Sequence, residues 1–162
     1  MRCTLTINGR PRALDLPDRA TLLEALRGPL DLTAAKPACD VGDCGACAVL
    51  VGGEPTLACL TLAAEVGDRA VLTAEGLADG EALHPLQVAF HELGASQCGY
   101  CTPGFLIAGA ALLAEDPHPS DAAIARALSG NLCRCTGYTR IFAAVRRAAE
   151  LLRAPAAGEG SP

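Results

Sequence analysis

Nine cysteines dominate the chemistry that this sequence of 162 residues could support. Eight of them form two sets, and each set could supply four thiolates to a metal centre. Thiolates are ligands of both zinc and iron–sulfur clusters in proteins. The N-terminus lacks the charged and hydrophobic regions of a secretory signal, so we expect a reducing, cytoplasmic setting where structural disulfides are rare. Metal ligation is therefore the preferred interpretation of the cysteines.

The first set has a spacing typical of plant-type 2Fe-2S sites. Three of its cysteines lie in one loop with the pattern C-x4-C-x2-C, and the fourth follows after a predicted turn. Glycines within the loop allow the tight turns that bring backbone N–H groups toward sulfide. A zinc site with four cysteines is the alternative, but zinc ribbons prefer paired C-x2-4-C knuckles. The predicted ligands of this first cluster are Cys39, Cys44, Cys47 and Cys59.

The second set consists of two cysteine pairs, and its spacing alone is less specific. The pairs are Cys98 with Cys101 and Cys133 with Cys135, and zinc remains an alternative for them. Each pair precedes a predicted helix, whose N-terminus offers unpaired N–H donors and a positive dipole end. Such donors would stabilise the negative charge of a second 2Fe-2S cluster in both redox states. The ninth cysteine, Cys3, is left over as a buried or edge thiol.

The first half of the chain has the residue pattern of a small β-sheet with one helix. Short apolar alternations are separated by the hairpin turns Asn8-Gly9 and Gly52-Gly53, and Thr21 is placed to cap a short helix. Two strands, a helix and three more strands is the order of a β-grasp domain, which we predict for residues 1–74. The predicted elements are strands at 4–7, 14–16, 48–51, 57–60 and 69–73, the fourth carrying Cys59, and a helix at 22–27.

The second half changes to the 3.6-residue period of helices. Residues 75–82 are rich in glycine and acidic residues and are predicted to form a linker. Four helices are predicted in residues 83–153, and residues 154–162 have the composition of a disordered tail. The fold class is therefore α+β, with a β-grasp domain followed by a four-helix domain. The predicted helix caps are Thr102, Ser120 and either Thr136 or Thr139, and the predicted inward-facing residues include Leu83 and Leu152.

Composition argues against several other functions. A net charge of −5 with no basic stripe disfavours a nucleic-acid partner. The longest apolar run, residues 104–114, falls short of the roughly 20 residues that a membrane span needs. We find no Ser-His-Asp set, no paired catalytic carboxylates and no phosphate-binding glycine loop. The chain is therefore expected to carry no substrate chemistry of its own.

Two segments around the second cysteine set resemble a known family very closely. They are QCGYCTPG at residues 97–104 and GNLCRCTGY at residues 130–138. This is similar to the second-cluster signature of the xanthine dehydrogenase and aldehyde oxidase family, the molybdenum hydroxylases. The small subunits of carbon monoxide dehydrogenase, 4-hydroxybenzoyl-CoA reductase and isoquinoline oxidoreductase share that signature. The first loop also matches, and the resemblance covers roughly residues 3–152. It departs at Pro37 and Ala38, where we expect a slightly altered approach to the first cluster.

The resemblance implies an iron–sulfur electron-transfer subunit with no catalysis of its own. Electrons would pass from a molybdopterin cofactor on a large partner subunit through the helical-domain cluster to the β-grasp cluster. They would then reach FAD on a medium subunit or another acceptor. The resemblance also implies that Gln97 and Cys135 approach the partner's pterin. A free-standing two-cluster ferredoxin and a structural zinc adaptor remain the alternatives, although a simple shuttle would not need the helical half.

Overall fold

The computed structural model describes residues 2–154 and confirms the predicted α+β class. Five strands are followed by four longer helices, with one short helix inside the strand region. The predicted tail at 154–162 lies outside the described residues except for Ala154. The strands are β1 Arg2–Ile7, β2 Arg10–Asp15, β3 Ala48–Val51, β4 Glu54–Leu57 and β5 Val71–Leu72. The α-helices are α1 Leu22–Arg27, α2 Pro85–Glu92, α3 Thr102–Glu115, α4 Asp121–Leu128 and α5 Thr139–Arg153.

The five strands form one mixed sheet in the order β2-β1-β5-β3-β4. β1 runs parallel to β5, and the other neighbours are antiparallel. The turn at Asn8 and Gly9 has positive φ at both residues, as a two-residue hairpin requires. Thr21 and Glu24 form a reciprocal capping box at the start of α1, which buries Leu22 and Leu26 completely. The predicted β-grasp order of elements is confirmed.

One strand prediction is wrong, and it concerns a cysteine. The strand predicted at residues 57–60 instead occupies Glu54–Leu57 as β4. Cys59 therefore lies in the turn after the strand. The two-residue turn at Gly52-Gly53 sets a register that pairs Val51 with Glu54, and pairing therefore ends at Ala48 and Leu57. Cys59 still returns toward the first loop, because the Ala58 N–H donates to the carbonyl of Cys47 at 3.3 Å.

The four helices α2 to α5 bury a second core that includes Phe105, Ile124 and Ile141. Ser120 caps α4 as predicted, accepting from the Ala123 N–H at 3.2 Å. The other caps predicted for the second half are wrong. Thr102 is the first residue of α3, and α5 begins after Tyr138, whose φ of 67° is left-handed and leaves no side-chain cap.

Leu83 and Leu152, both predicted to face the core, are exposed instead. Leu83 is 56% exposed because it precedes α2, where the helical period does not yet apply. Leu152 is 45% exposed in the last turn of α5, and its neighbour Leu151 packs against the core in its place. Within residues 2–154, the structure contains no helix with the length and apolar character needed to cross a membrane.

The two halves pack directly on each other through α3. All four residues of β3 are buried, and Leu50 lies in a small apolar cluster with Ala48, Ala74 and Ile107 of α3. At β3 the sheet is therefore covered on both faces, by its own core on one side and by α3 on the other. The proposed division at residues 75–82 stays a prediction.

His84 caps α2, and this makes one pH dependence testable. Its Nδ1 accepts from the Leu86 N–H at 3.1 Å, and burial lowers the pKa of its imidazole. The unfolded chain therefore takes up the proton first, and stability is lost as pH falls below the unfolded pKa of about 6.5. We expect His84→Asn, a cap that does not titrate, to remove this loss of stability. Denaturant midpoints between about pH 7.5 and 5.5 test this, and parallel curves for both proteins would contradict it.

Candidate functional site

The first cysteine loop connects α1 to β3 and curls around the thiol of Cys39. Asp40, Gly42 and Gly45 all have positive φ, with values of 56°, 89° and 71°. The curl directs backbone N–H groups at the sulfur of Cys39. These donors, chiefly the N–H of Val41, lower the pKa of the Cys39 thiol to about 7. Backbone donors of this kind stabilise a negatively charged sulfur. The loop therefore has the electrostatics that a thiolate ligand needs.

The other thiols of the first set complete two close pairs. The thiols of Cys39 and Cys44 are close enough to shift each other's ionisation, and so are those of Cys47 and Cys59. Cys47 is only 3% exposed immediately before β3, and burial raises its pKa to about 11. Its thiol would lose a proton on binding metal, as thiolate ligation requires.

The second set lies at the N-terminal ends of α3 and α5. The sulfurs of Cys98 and Cys135 are 3.7 Å apart, and the thiol of Cys101 is close enough to that of Cys133 to have its ionisation opposed by it. Burial opposes ionisation of Cys133, but hydrogen bonds from the Thr136 hydroxyl and N–H prevail and lower its pKa to about 7. The Tyr138 hydroxyl accepts from the Cys133 N–H at 2.9 Å and fixes this part of the loop.

The donor chemistry of both sets fits a two-iron cluster. Among residues 2–154, no three His, Cys, Asp or Glu side chains are grouped around a point where one metal ion could sit. The thiols instead approach one another two by two. A 2Fe-2S cluster takes four thiolates, two on each iron, so two neighbouring pairs are the arrangement that it requires. The pairs are Cys39 with Cys44, Cys47 with Cys59, Cys98 with Cys135, and Cys101 with Cys133.

The two cysteine loops touch each other, which sequence reasoning missed. The Asn131 side chain donates to the Gly45 carbonyl at 3.1 Å, and the Leu132 N–H donates to the Cys44 carbonyl at 2.9 Å. Gly104, in the first turn of α3, packs against Gly45. We call the contact made by Cys44, Gly45, Gly104, Asn131 and Leu132 the loop junction. No single-sequence signal marks it beyond the presence of glycines and one asparagine beside the cysteines.

A further contact joins the loops where the sequence departs from the family pattern. The Tyr100 hydroxyl, between Cys98 and Cys101, donates to the carbonyl of Pro37. The unusual Pro37 thus has a hydrogen-bonded partner in the second loop. The predicted change in how the loop approaches the first cluster stays a prediction.

The surfaces around the two sites differ. Cys98 and Cys135 are exposed, together with Gln97 and the arginines Arg134 and Arg140. The first site is less open at its cysteines, with exposed Val41 and Leu60 beside it. Cys59 also lines a cleft of about 650 Å³. That cleft is otherwise lined by Thr21, Leu23, Glu24, Arg27, Gly28, Pro37 and Asp40.

Comparison with known proteins assigns the chain to a family. A family model described as "2Fe-2S iron-sulfur cluster binding domain" matches residues 5–76, and one described as "[2Fe-2S] binding domain" matches residues 73–146. The nicotinate dehydrogenase small FeS subunit of Eubacterium barkeri is 45% identical over 146 residues, 90% of this chain and 93% of that protein. The nicotine 6-hydroxylase small subunit of Paenarthrobacter nicotinovorans is 48% identical over 139 residues, 86% of this chain and 84% of that protein.

The chain belongs to the small iron–sulfur subunits of the molybdenum hydroxylases. A solved structure agrees with this assignment. The matching chain of quinoline 2-oxidoreductase from Pseudomonas putida 86 superposes with a TM-score of 0.90 at 44% identity, covering 94% of this chain and 96% of that chain. This iron–sulfur subunit is therefore a non-catalytic electron-transfer component of an oxidoreductase complex.

Proposed function

We propose that this iron–sulfur subunit receives electrons at the site of Cys98, Cys101, Cys133 and Cys135 and releases them from the site of Cys39, Cys44, Cys47 and Cys59. The donor is a molybdopterin cofactor on a large partner subunit. The acceptor is FAD on a medium subunit or another acceptor. The complex works in the cytoplasm, where thiols stay reduced. The loop junction is the observation that carries this proposal, because it joins the two thiol sets directly.

The exposed surface of the second site supports its assignment to the molybdopterin side. Cys98 and Cys135 are the two exposed cysteines among the eight proposed ligands. Gln97 can donate and accept hydrogen bonds beside them, and Arg134 and Arg140 add positive charge suited to an anionic cofactor. We therefore assign Gln97 and Cys135 as the residues of this chain that approach the partner's pterin.

Groups of this chain would compensate the negative charge that a bound cluster brings to each site. When bound, a 2Fe-2S cluster takes up and gives back one electron. Backbone N–H groups directed at Cys39 and the Thr136 groups directed at Cys133 would compensate the negative charge at each site. The start of α3 immediately after Cys101 contributes a positive dipole end.

The loop junction offers a short path between the two sites. Cys44 is a proposed ligand of the first site, and its carbonyl accepts from the N–H of Leu132. Leu132 is covalently joined to Cys133, a proposed ligand of the second site. One hydrogen bond and a few covalent bonds therefore connect the two ligand sets.

Iron analysis with EPR spectroscopy tests the proposal on the purified full chain. We expect about four irons per chain and two distinguishable signals after dithionite reduction, one for each 2Fe-2S cluster. A single signal with about two irons would contradict the proposal, and a colourless zinc protein would favour the structural adaptor. Co-purification from the cells that naturally make this chain adds a second test. Elution of the folded chain without a large partner would favour a free-standing ferredoxin.

A further inference from the structure

Asn131 is one of only two buried polar or charged residues in the part of the chain that the structure describes, the other being Thr73. It is 6% exposed. Burying an amide is unfavourable unless it is hydrogen-bonded, so its position needs a specific partner. That partner is the Gly45 carbonyl, 86 residues away and next to Cys44.

Asn131 is packed tightly between Gly45 and Gly104, with no space for a Cβ at either glycine. A Cβ at Gly104 would lie 2.8 Å from the Asn131 amide nitrogen and would also collide with the Gly45 carbonyl. A Cβ at Gly45 would collide with the Gly130 carbonyl and the Asn131 side chain. Both glycines therefore allow the two loops to approach closely enough for the Asn131 side-chain amide to donate its hydrogen bond to the Gly45 carbonyl. The neighbouring hydrogen bond, from Leu132 to Cys44, forms in the same place.

We propose that Asn131 is a positioning residue for electron transfer between the two clusters. Its hydrogen bond to the Gly45 carbonyl keeps the neighbouring Cys44 carbonyl in place to accept from the Leu132 N–H. Together these bonds fix the separation and orientation of the two ligand sets. The step it serves moves one electron from the second site to the first, and no bond forms or breaks. This inference rests on the proposed function, since it requires both sites to hold clusters.

The test compares three variants of the full chain with both clusters loaded. Asn131→Ala removes the donor and leaves both ligand sets intact. Gly104→Ala keeps the donor but forces the loops apart. Gly109→Ala is the matched control on the same helix, because its Cβ would meet only side chains, with the Leu86 methyl groups nearest at 3.2 Å and 3.3 Å.

Two readouts separate positioning from general stability. One is the magnetic interaction between the reduced clusters in low-temperature EPR, and the other is the rate of electron redistribution between them after rapid partial reduction. We expect Asn131→Ala and Gly104→Ala to weaken the interaction and slow redistribution several-fold at unchanged iron content. Gly109→Ala should match the original protein in both.

Thr73→Ala supplies the stability control. It removes the other buried polar side chain, whose partner is Asn8 rather than either cysteine loop. A redistribution rate that falls equally in Thr73→Ala and Asn131→Ala would overturn the inference, as would an unchanged rate in Asn131→Ala. If the original protein itself lacks one cluster, the proposed function fails first, so the two failures are distinguishable.

Discussion

Replacing Cys47 with serine is expected to remove the first cluster and leave the second intact. Cys47 is the most buried of the proposed ligands, and a serine hydroxyl is a much poorer ligand for iron than a thiolate. Iron should fall from about four to about two atoms per chain, with loss of one of the two EPR signals. Because ligation contributes to folding, the remaining protein should also unfold at a lower temperature.

Cys3→Ser is the control for this experiment. Cys3 lies in β1 and packs against the core of the N-terminal half, and it belongs to neither proposed ligand set. Its replacement should leave iron content and both signals unchanged. Cys101→Ser should do the converse of Cys47→Ser and remove the second signal alone. Loss of both signals from either single variant would show that the sites do not bind independently.

Gly45→Ala is expected to destabilise the chain more than any other single methyl addition in the first loop. The left-handed φ of 71° costs an L-residue about 1–2 kcal/mol. The added methyl group also collides with the Gly130 carbonyl and Asn131, and overpacking of this kind costs about 1–3 kcal/mol. The free energy of unfolding, measured by chemical denaturation, should therefore fall by roughly 2–5 kcal/mol.

Gly53→Ala separates the two causes. Gly53 has a φ of 90° in the hairpin turn between β3 and β4, but a methyl group there would meet nothing within 4 Å. Its replacement should cost only the conformational part, about 1–2 kcal/mol. Equal losses in the two variants would mean that close contact at the loop junction adds nothing to stability.

The features that could be predicted from sequence are local ones. The turns at Asn8-Gly9 and Gly52-Gly53 need positive φ, and the capping box at Thr21 depends on residues three apart. The cysteine spacing is equally local, because three of four proposed ligands in the first set lie within one loop. These signals were enough for the order of strands and helices and for both candidate thiol sets.

The features that were missed depend on register or on distant contacts. The end of β4 follows from its pairing with β3, which residue types do not specify, so Cys59 lies beyond a strand that its apolar neighbours predict to continue. Tyr138 begins α5 from a left-handed conformation with no capping side chain, so residue type did not reveal the helix boundary. The loop junction joins residues 86 positions apart, and such pairing appears only once the two halves are folded together.

The double coverage of β3 has a consequence for limited proteolysis. Residues 79–83, in the segment joining the halves, are exposed and lie outside this contact. Ala48, Leu50 and Ile107 lie inside it, and the loop junction adds hydrogen bonds across it. A single cut in residues 78–83 would break the backbone without uncovering the sheet. The two fragments would stay associated as a nicked complex, and separating them would expose the apolar face of β3 to water. The halves are thus held together by noncovalent contacts as well as by the chain that connects them.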